Sequence, residues 1–463
     1  MKRSFASSTS LAGLILVTLS YAHSVQAQSS SIQTLFAFTC NSSTNVCPQG
    51  KDASSLIQSG DGNFYGTTEY GGTGTQAAGT VFKLTPAGQL TTIYTFLGSA
   101  NGANPTSLLE GNDGFLYGTT NTGGADNQGV VFKVSKTGTF QLLHSFCSLA
   151  NCADGNQPFN LVLGSDGNLY GCTTYSFPGT LYRVTTRGAY TLLHTFSIPV
   201  DGPQCIGMTI ASDGNIYGDT LGAFGFPTVV FRLTAAGQVS VVHTLEYSQF
   251  PVSPVTQTSD GKLWSVLSHT AGAAQAGMFE VGLSGAGYKE VPLPYPFEPP
   301  DVHFMTQASD GDFWGLLGQS IVRFTLGGNS LEQIPFPAAN SNVSLPVLMQ
   351  ASNGQLIGIS NDDGFDLGDP GEIFTIEPAL APPKPLFVSF VPSSGLVGSQ
   401  VIIHGAHFVG TTGVKFNGVS AKFQVLNTGN IKATVPAGAT TGPIAVINQG
   451  GQTTTTKTFT VTP

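Results

Sequence analysis

The stretch DGNFYGTT, residues 61–68, returns as DGFLYGTT at 113–120, DGNLYGCT at 166–173 and DGNIYGDT at 213–220. Looser copies follow: DGKLWSVL at 260–267, DGDFWGLL at 310–317 and NGQLIGIS at 353–360. Their starts lie 52, 53, 47, 47, 50 and 43 positions apart. A period of that length marks stacked supersecondary units, none of which buries its apolar face alone. Asp-Gly suits a tight turn, where glycine takes the positive φ that a side chain resists.

Each unit parses into four strands, a to d. Strand a is the short apolar stretch before the Asp-Gly. Strand b carries Tyr65, Tyr117, Tyr170, Tyr217, Trp264 or Trp314, with Ile357 the exception. Strand c alternates, as in Val81-Phe82-Lys83-Leu84 and Val131-Phe132-Lys133-Val134, so one of its faces is buried. Strand d is LTTIYTF, FQLLHSF, YTLLHTF or VSVVHTL. The seventh unit meets Pro378 before any strand d, while Ile32–Phe38 (IQTLFAF) is an orphan of the strand-d type. These patterns predict an all-β chain with a seven-bladed β-propeller over residues 28–377, closed by the N-terminal strand, which removes the open edge.

Composition agrees. Of 463 residues only 9% are charged, against about 25% in ordinary soluble domains. Long solvated helices and coiled coils are therefore excluded. A net charge of −9 disfavours a nucleic-acid surface. With 40% hydrophobic residues the chain can fill large cores and is not disordered.

Lys2 and Arg3, the apolar run Leu11–Leu19 and Val25-Gln26-Ala27 read as a signal peptide over residues 1–27. The run is too short to span a bilayer. A secreted or periplasmic protein is expected, with no membrane span once the signal is removed, and a monomer. Six cysteines suit export. Cys40 with Cys47 and Cys147 with Cys152 bracket equivalent loops after strand d, as local disulfides would; Cys172 and Cys205 remain for a third.

The consensus Asp-Gly-x-[FLI]-Tyr-Gly-Thr-Thr, then G-[TV]-V-F-K-[LV] and L-x-x-F, resembles the GloVer tandem-repeat family of exported bacterial proteins. The first four units match it well and the last three drift. That resemblance implies an exported propeller and no defined activity. After a Pro-rich linker at residues 378–385, residues 386–463 resemble an IPT/TIG domain, a small immunoglobulin-like β-sandwich. The carriers are Pro392–Gly395, Ile402–Phe408, Val414–Gly418, Val435–Ala437 and Gly442-Pro443. Such a module implies a spacer or protein contact. This unit holds Lys415, Lys422, Lys432 and Lys457 and no acid, whereas residues 28–385 carry a net −15, so weak attraction between the two is expected.

Antiparallel strands place the short a–b and c–d turns at one end and the long b–c and d–a loops at the other. Function is expected on the variable loops. Tyr175, Phe177, Phe224, Phe226, Tyr247, Phe250, Tyr295 and Phe297 lie there, suited to stacking on a sugar or an apolar peptide, or to anchoring their own loops. Asp362, Asp363, Asp366, Asp369 and Glu372 crowd one b–c loop. They read as a solvated acidic loop, with Ca²⁺ the alternative, although Gly364 stands at the wrong position for an EF-hand. His144, His194 and His243 share a strand-d slot with Phe36 and Tyr94 and read as packing.

His269 and His303, with Glu298 and Asp301, form the one acid–base or metal candidate. Streptogramin lyases, which use His and a divalent ion, look broadly similar in repeat style. The leading expectation is a non-catalytic protein binding a glycan or an extracellular protein, without cofactor and without nucleic acid. The alternative is a propeller lyase or hydrolase using His269 and His303.

Overall fold

The computed structural model describes residues 30–463 except 42, 45, 75–76, 175–177, 198–199, 222–226, 247–248, 252, 270–276, 294–301, 318–319, 337–342 and 363–369. Among the described residues the fold is almost all strand, with two 3-10 turns at Ser99–Asn101 and Ala150–Cys152. No helix there is long and apolar enough to cross a membrane.

Up to Glu377, the described strands form seven antiparallel sheets. The first contains Lys51–Gln58, Phe64–Tyr70, Thr80–Leu84 and Leu90–Thr95, in that order. The next three repeat it, opening on Ala103–Glu110, Pro158–Leu163 and Cys205–Ile210. In the fifth, strand a is split into Gln249–Pro251 and Thr256–Gln257, both paired with Leu263–His269. Pro254 lies in the break and has no N–H for a ladder. The sixth opens on Val302–Gln307. In the seventh, Val343–Gln350, Leu356–Asp362 and Glu372–Glu377 take Ser31–Ala37 as their fourth strand, with Ile32 opposite Ile376. First strands of successive sheets touch, except that Val302–Gln307 of the sixth touches Leu263–His269 of the fifth, and Lys51–Gln58 touches both Ala103–Glu110 and Val343–Gln350.

The repeated motif is a packing device. Phe82, Phe132, Phe231 and Phe374 on strand c are fully buried. Each ring lies over a strand-b glycine, Gly66, Gly118, Gly218 or Gly358, where an added Cβ would collide with it. Tyr182 does the same over Gly171. The Asp of the motif fixes the a–b turn. Asp113 Oδ1 accepts from the Phe115 amide (3.3 Å), and Oδ2 accepts from the Tyr117 hydroxyl (2.7 Å). Lys133 Nζ reaches the same Oδ2 at 2.8 Å. Asp61, Asp166 and Asp213 take the hydroxyls of Tyr65, Tyr170 and Tyr217 in the same way, and Asp310 takes Trp314 Nε1. Burial alone would raise Asp113, but Lys133, Tyr117 and the Phe115 amide together hold it below the usual carboxylate value.

A second bond ties neighbouring sheets at this end. Gln58 Oε1 accepts from the Ser352 amide at 2.8 Å, Gln350 from Ser309 at 2.9 Å, Gln307 from Ser259 at 2.7 Å and Gln257 from Ser212 at 2.7 Å. Glu110 Oε2 takes the Gly60 amide at 2.9 Å. The corresponding positions of the third and fourth sheets are Leu163 and Ile210, which have no acceptor.

Residues 386–461 form two further sheets. One contains Leu386–Val391, Gln400–Ala406, Asn430–Thr434 and Lys422–Asn427; the other is centred on Gly413–Phe416, Gly442–Asn448 and Gly451–Val461. Val401, Ile403, Phe408, Phe416, Ile431, Ile444 and Phe459 fill the space between them. Among the described residues the contact is neutral: Asn427 Nδ2 donates to the Glu110 carbonyl (3.0 Å) and to Asn112 Oδ1 (3.1 Å). The linker is tied down on both sides. The Leu380 amide donates to the Gly354 carbonyl, and Asn448 Nδ2 donates to the Pro383 carbonyl.

Gly118→Ala tests the ring-over-glycine packing. It should cost about 3 kcal/mol, read as a fall in Tm, because ring and strand cannot both give way. Gly114→Ala meets no atom within 4 Å and should cost only about 1 kcal/mol, from its positive φ.

Candidate functional site

The loop end is built by strand d and by a second Asn-Gly or Asp-Gly pair just before strand a. His144 leaves strand Phe140–Ser145 and meets Asp154 Oδ2 at 3.1 Å. Asp154 is fully buried and also accepts from the Ser148 amide and hydroxyl and from the Leu149 amide. One sheet later His194 Nε2 meets Asp201 Oδ2 at 2.6 Å, and the Ser197 amide bonds Oδ1. In the equivalent loop Asn101 Nδ2 donates to the Tyr94 hydroxyl at 3.4 Å. The strand-d rings also stack on the next sheet: Tyr94 on Phe140, His144 on Tyr190 and His243 on Tyr288. Burial pulls His144 below the usual imidazole value, with Asp154 opposing, so the ring is chiefly neutral.

Three disulfides are formed: Cys40–Cys47, Cys147–Cys152 and Cys172–Cys205. The first two close d–a loops, and the third joins strand b of the third sheet to strand a of the fourth. Loops held this way present apolar side chains to solvent. Val46, Tyr70, Leu97, Leu149, Phe159 and Val200 are all exposed, Val200 by 63% and Leu97 by 53%. All six belong to b–c or d–a segments or to strand ends beside them. Sequence reasoning passed over them, because it sought aromatic clusters. The available signal was Asn101-Gly102, Asp154-Gly155 and Asp201-Gly202, a second turn repeated after strand d of the first three sheets.

The aromatic candidates Tyr175, Phe177, Phe224, Phe226, Tyr247, Tyr295 and Phe297 lie outside the described residues, as do Glu298, Asp301, Asp363, Asp366 and Asp369. Phe250, His269, His303 and Asp362 are described in backbone only. His269 ends strand b of the fifth sheet opposite Gln249, and His303 lies near the start of strand a of the sixth, opposite Leu316. These two strands touch. Glu372 is engaged in the fold, accepting from the Thr34 hydroxyl at 2.7 Å on the N-terminal strand. Among the described residues no three His, Cys, Asp or Glu side chains converge as a metal site.

Asp219 is a group the sequence reading missed. It replaces the threonine of the motif, at the position held by Thr67, Thr119 and Cys172. Its carboxyl is fully buried, and neither oxygen makes a well-formed hydrogen bond. Burial raises it far above the usual value, more than the Val255 backbone and the Ser265 hydroxyl offset. Burial thus favours its protonated form, between the fourth and fifth sheets.

Comparison with known proteins gives two family matches. The Gloeobacter/Verrucomicrobia repeat matches residues 19–226, and the IPT/TIG domain matches residues 385–461. No curated protein sequence matches the chain. Among solved structures, a streptogramin B lyase is similar at 15% identity and a TM-score of 0.54, over 75% of this chain and 97% of that one. Virginiamycin B lyase from Staphylococcus aureus gives 16%, 0.54, 75% and 99%. PorZ, a surface component of the type-IX secretion system of Porphyromonas gingivalis, gives 14%, 0.51, 91% and 60%. These likenesses are of fold, and the fold they share is propeller-like.

Asp219→Thr restores the residue of the first two repeats and tests the buried acid. An acid whose folded value is raised contributes stability below its unfolded value, near pH 4, and loses it as pH rises through the folded value. The variant should therefore melt several degrees above the parent at pH 8. The difference should shrink as the pH is lowered, and near pH 4 only the pH-independent cost of the unpaired buried acid should remain. Equal melting at all pH values would contradict the assignment.

Proposed function

We propose that this chain, which carries the Gloeobacter/Verrucomicrobia repeat and a C-terminal IPT/TIG domain, is an exported binding protein. On this reading residues 28–377 are a seven-bladed propeller closed by the N-terminal strand, and its loop end takes the partner. Residues 1–27 are removed as a signal peptide, and the mature monomer works in the periplasm or outside the cell. Three disulfides support an oxidising compartment.

The observation that carries the reading is the distribution of exposed apolar side chains. In the repeat region six of the ten exposed large apolar side chains among the described residues, Val46, Tyr70, Leu97, Leu149, Phe159 and Val200, stand at the loop end, and the other four, Leu142, Leu192, Val241 and Leu331, are spread along outer strands. The turn end instead carries the linker and the IPT/TIG domain. Isolated exposed apolar residues are ordinary, but a set gathered at one end of a scaffold marks an interaction surface. Four of the six are aliphatic, which favours an extracellular protein over a glycan, since sugars are gripped by aromatic faces.

Leu97→Ser with Leu149→Ser removes two of these side chains, one from the loop held by Asn101 and one from the loop held by Cys147–Cys152 and Asp154, without touching the sheets. A panel of cell-envelope proteins and glycans, screened by biolayer interferometry, should give at least one saturable partner for the parent. Its affinity should fall at least tenfold in the double variant. Leu331→Ser, on an exposed outer strand, should leave affinity unchanged. Equal binding by all three proteins, or no binding by the parent, would count against the proposal.

A further inference from the structure

The IPT/TIG unit is held to the sheets and the linker at one end. Asn427 Nδ2 donates to the Glu110 carbonyl and Asn448 Nδ2 to the Pro383 carbonyl, and this near end lies over Leu163 and Ile210. Strand Leu386–Val391 runs away from it, with Leu386 opposite Ala406 and Val391 opposite Ile402. At about 3.4 Å per residue, its last residue is about 17 Å from its first. Residues 392–399 and 435–441 close the far end. The Gly398 amide donates to the Val435 carbonyl and the Val435 amide to the Ser399 carbonyl, both at 2.9 Å.

The far end is an uncharged, aliphatic tip. Among the described residues this unit has four exposed large apolar side chains. Val391 (55%), Leu396 (55%) and Val397 (51%) stand at the far end, and Leu386 at the near end. Pro392 and Ala437 beside them are exposed as well. Leu396 and Val397 belong to a tight turn, where Gly, Asn, Asp and Ser are the usual residues. The turn is closed on itself: the Leu396 carbonyl accepts from the Ser399 amide (3.1 Å) and the Ser399 hydroxyl (2.6 Å). Two aliphatic side chains are thus held out in water at the end of the domain.

Cations stand behind the tip and no carboxylate does. Residues 386–463 contain Lys415, Lys422, Lys432 and Lys457 and no Asp or Glu. Val391, Ile402 and Lys432 lie in one row across the first sheet, and Gln400, Thr434 and Lys422 in the row next to the tip. Val401, Ile403, Ile431 and Ala433 alternate with them and fill the core, so both rows face outward. On the second sheet, Lys457 precedes Thr458, which lies opposite Pro443. Lys422 and Lys457 are exposed. The ion pairs among the described residues all belong to the repeat region, so none of these four charges is answered there.

An aliphatic tip backed by unanswered lysines matches the interface of an anionic bilayer, where apolar side chains reach the acyl boundary and ammonium groups meet phosphates. A second copy of this unit would set lysine against lysine. Charge alone would also suit an acidic protein, but the protruding Leu396 and Val397 would then need a matching pocket. The acyl boundary takes them without one. We propose that the far end of the IPT/TIG domain docks on an anionic phospholipid surface, with Leu396 and Val397 inserted and Lys422, Lys432 and Lys457 against the headgroups. The site is separate from the loop end and independent of the partner proposed there.

The test uses the mature full-length chain and sedimentation with phosphatidylcholine vesicles, with and without about 30% phosphatidylglycerol, at about 0.1 M salt. Partitioning onto the phosphatidylglycerol vesicles is expected to exceed that onto phosphatidylcholine alone at least tenfold. Leu396→Ser with Val397→Ser should cut it at least tenfold, and Lys422→Gln with Lys457→Gln at least fivefold. Leu386→Ser, at the near end, should leave it unchanged. Circular dichroism and Tm verify folding of each variant. The proposal is overturned if the parent does not partition onto the anionic vesicles, or if the folded Leu396→Ser, Val397→Ser variant partitions as the parent does. It is also overturned if sedimentation velocity shows the tip covered by a second copy, in a dimer that this variant dissolves.

Discussion

The molecule depends on how one carboxylate and one glycine are used in most units, the fifth having Ser265 for the glycine and the seventh Asn353 for the acid. The motif Asp collects its own turn amide and the ring hydroxyl or indole N–H four residues on, which fixes the strand-b ring at the sheet end. Three residues earlier, a Gln or Glu reaches the turn of the neighbouring sheet. The glycine after the ring admits the strand-c aromatic. Turn, sheet and sheet-to-sheet contact are thus set by residues within about a dozen positions of each other. This is why units of 43 to 53 residues tolerate loops of such different length.

That local economy divides the two ends. At the turn end every variable is held: short turns, polar seams, a tethered linker and the IPT/TIG unit. At the loop end, disulfides and His–Asp pairs hold the loop bases while leaving aliphatic side chains in water. Burying a His–Asp pair to secure a loop is a cost a chain can bear where the loop presents something. Low overall charge follows from the same plan, because most strand positions face another sheet. Asp219 shows what happens when a carboxyl enters that interior: burial favours its protonated form.

Much of this was legible in the sequence. Asp113 and Tyr117 announced turn and ring by spacing alone, and the orphan segment Ile32–Phe38 supplied the fourth strand of the last sheet for most of its length. His144 and His243 stack on rings of the next sheet, as their shared slot with Phe36 and Tyr94 implied, while His144 and His194 also pair with acids, which the slot did not imply. What could not be read was pairing across sequence. Asp154 and Asp201 became visible only as partners of His144 and His194. The IPT/TIG unit was recognisable from its own motifs. Its seat was not, because a neutral amide, Asn427, makes the contact and no net-charge argument reaches it.

Hydroxyl-radical footprinting of the free, full-length protein, read by mass spectrometry residue by residue, tests the division between the two ends most directly. The account predicts strong labelling of Leu97 and Leu149 at the loop end and weak labelling of Leu163 and Ile210 beneath the IPT/TIG domain. Labelling of Leu163 and Ile210 as strong as that of Leu97 would contradict it.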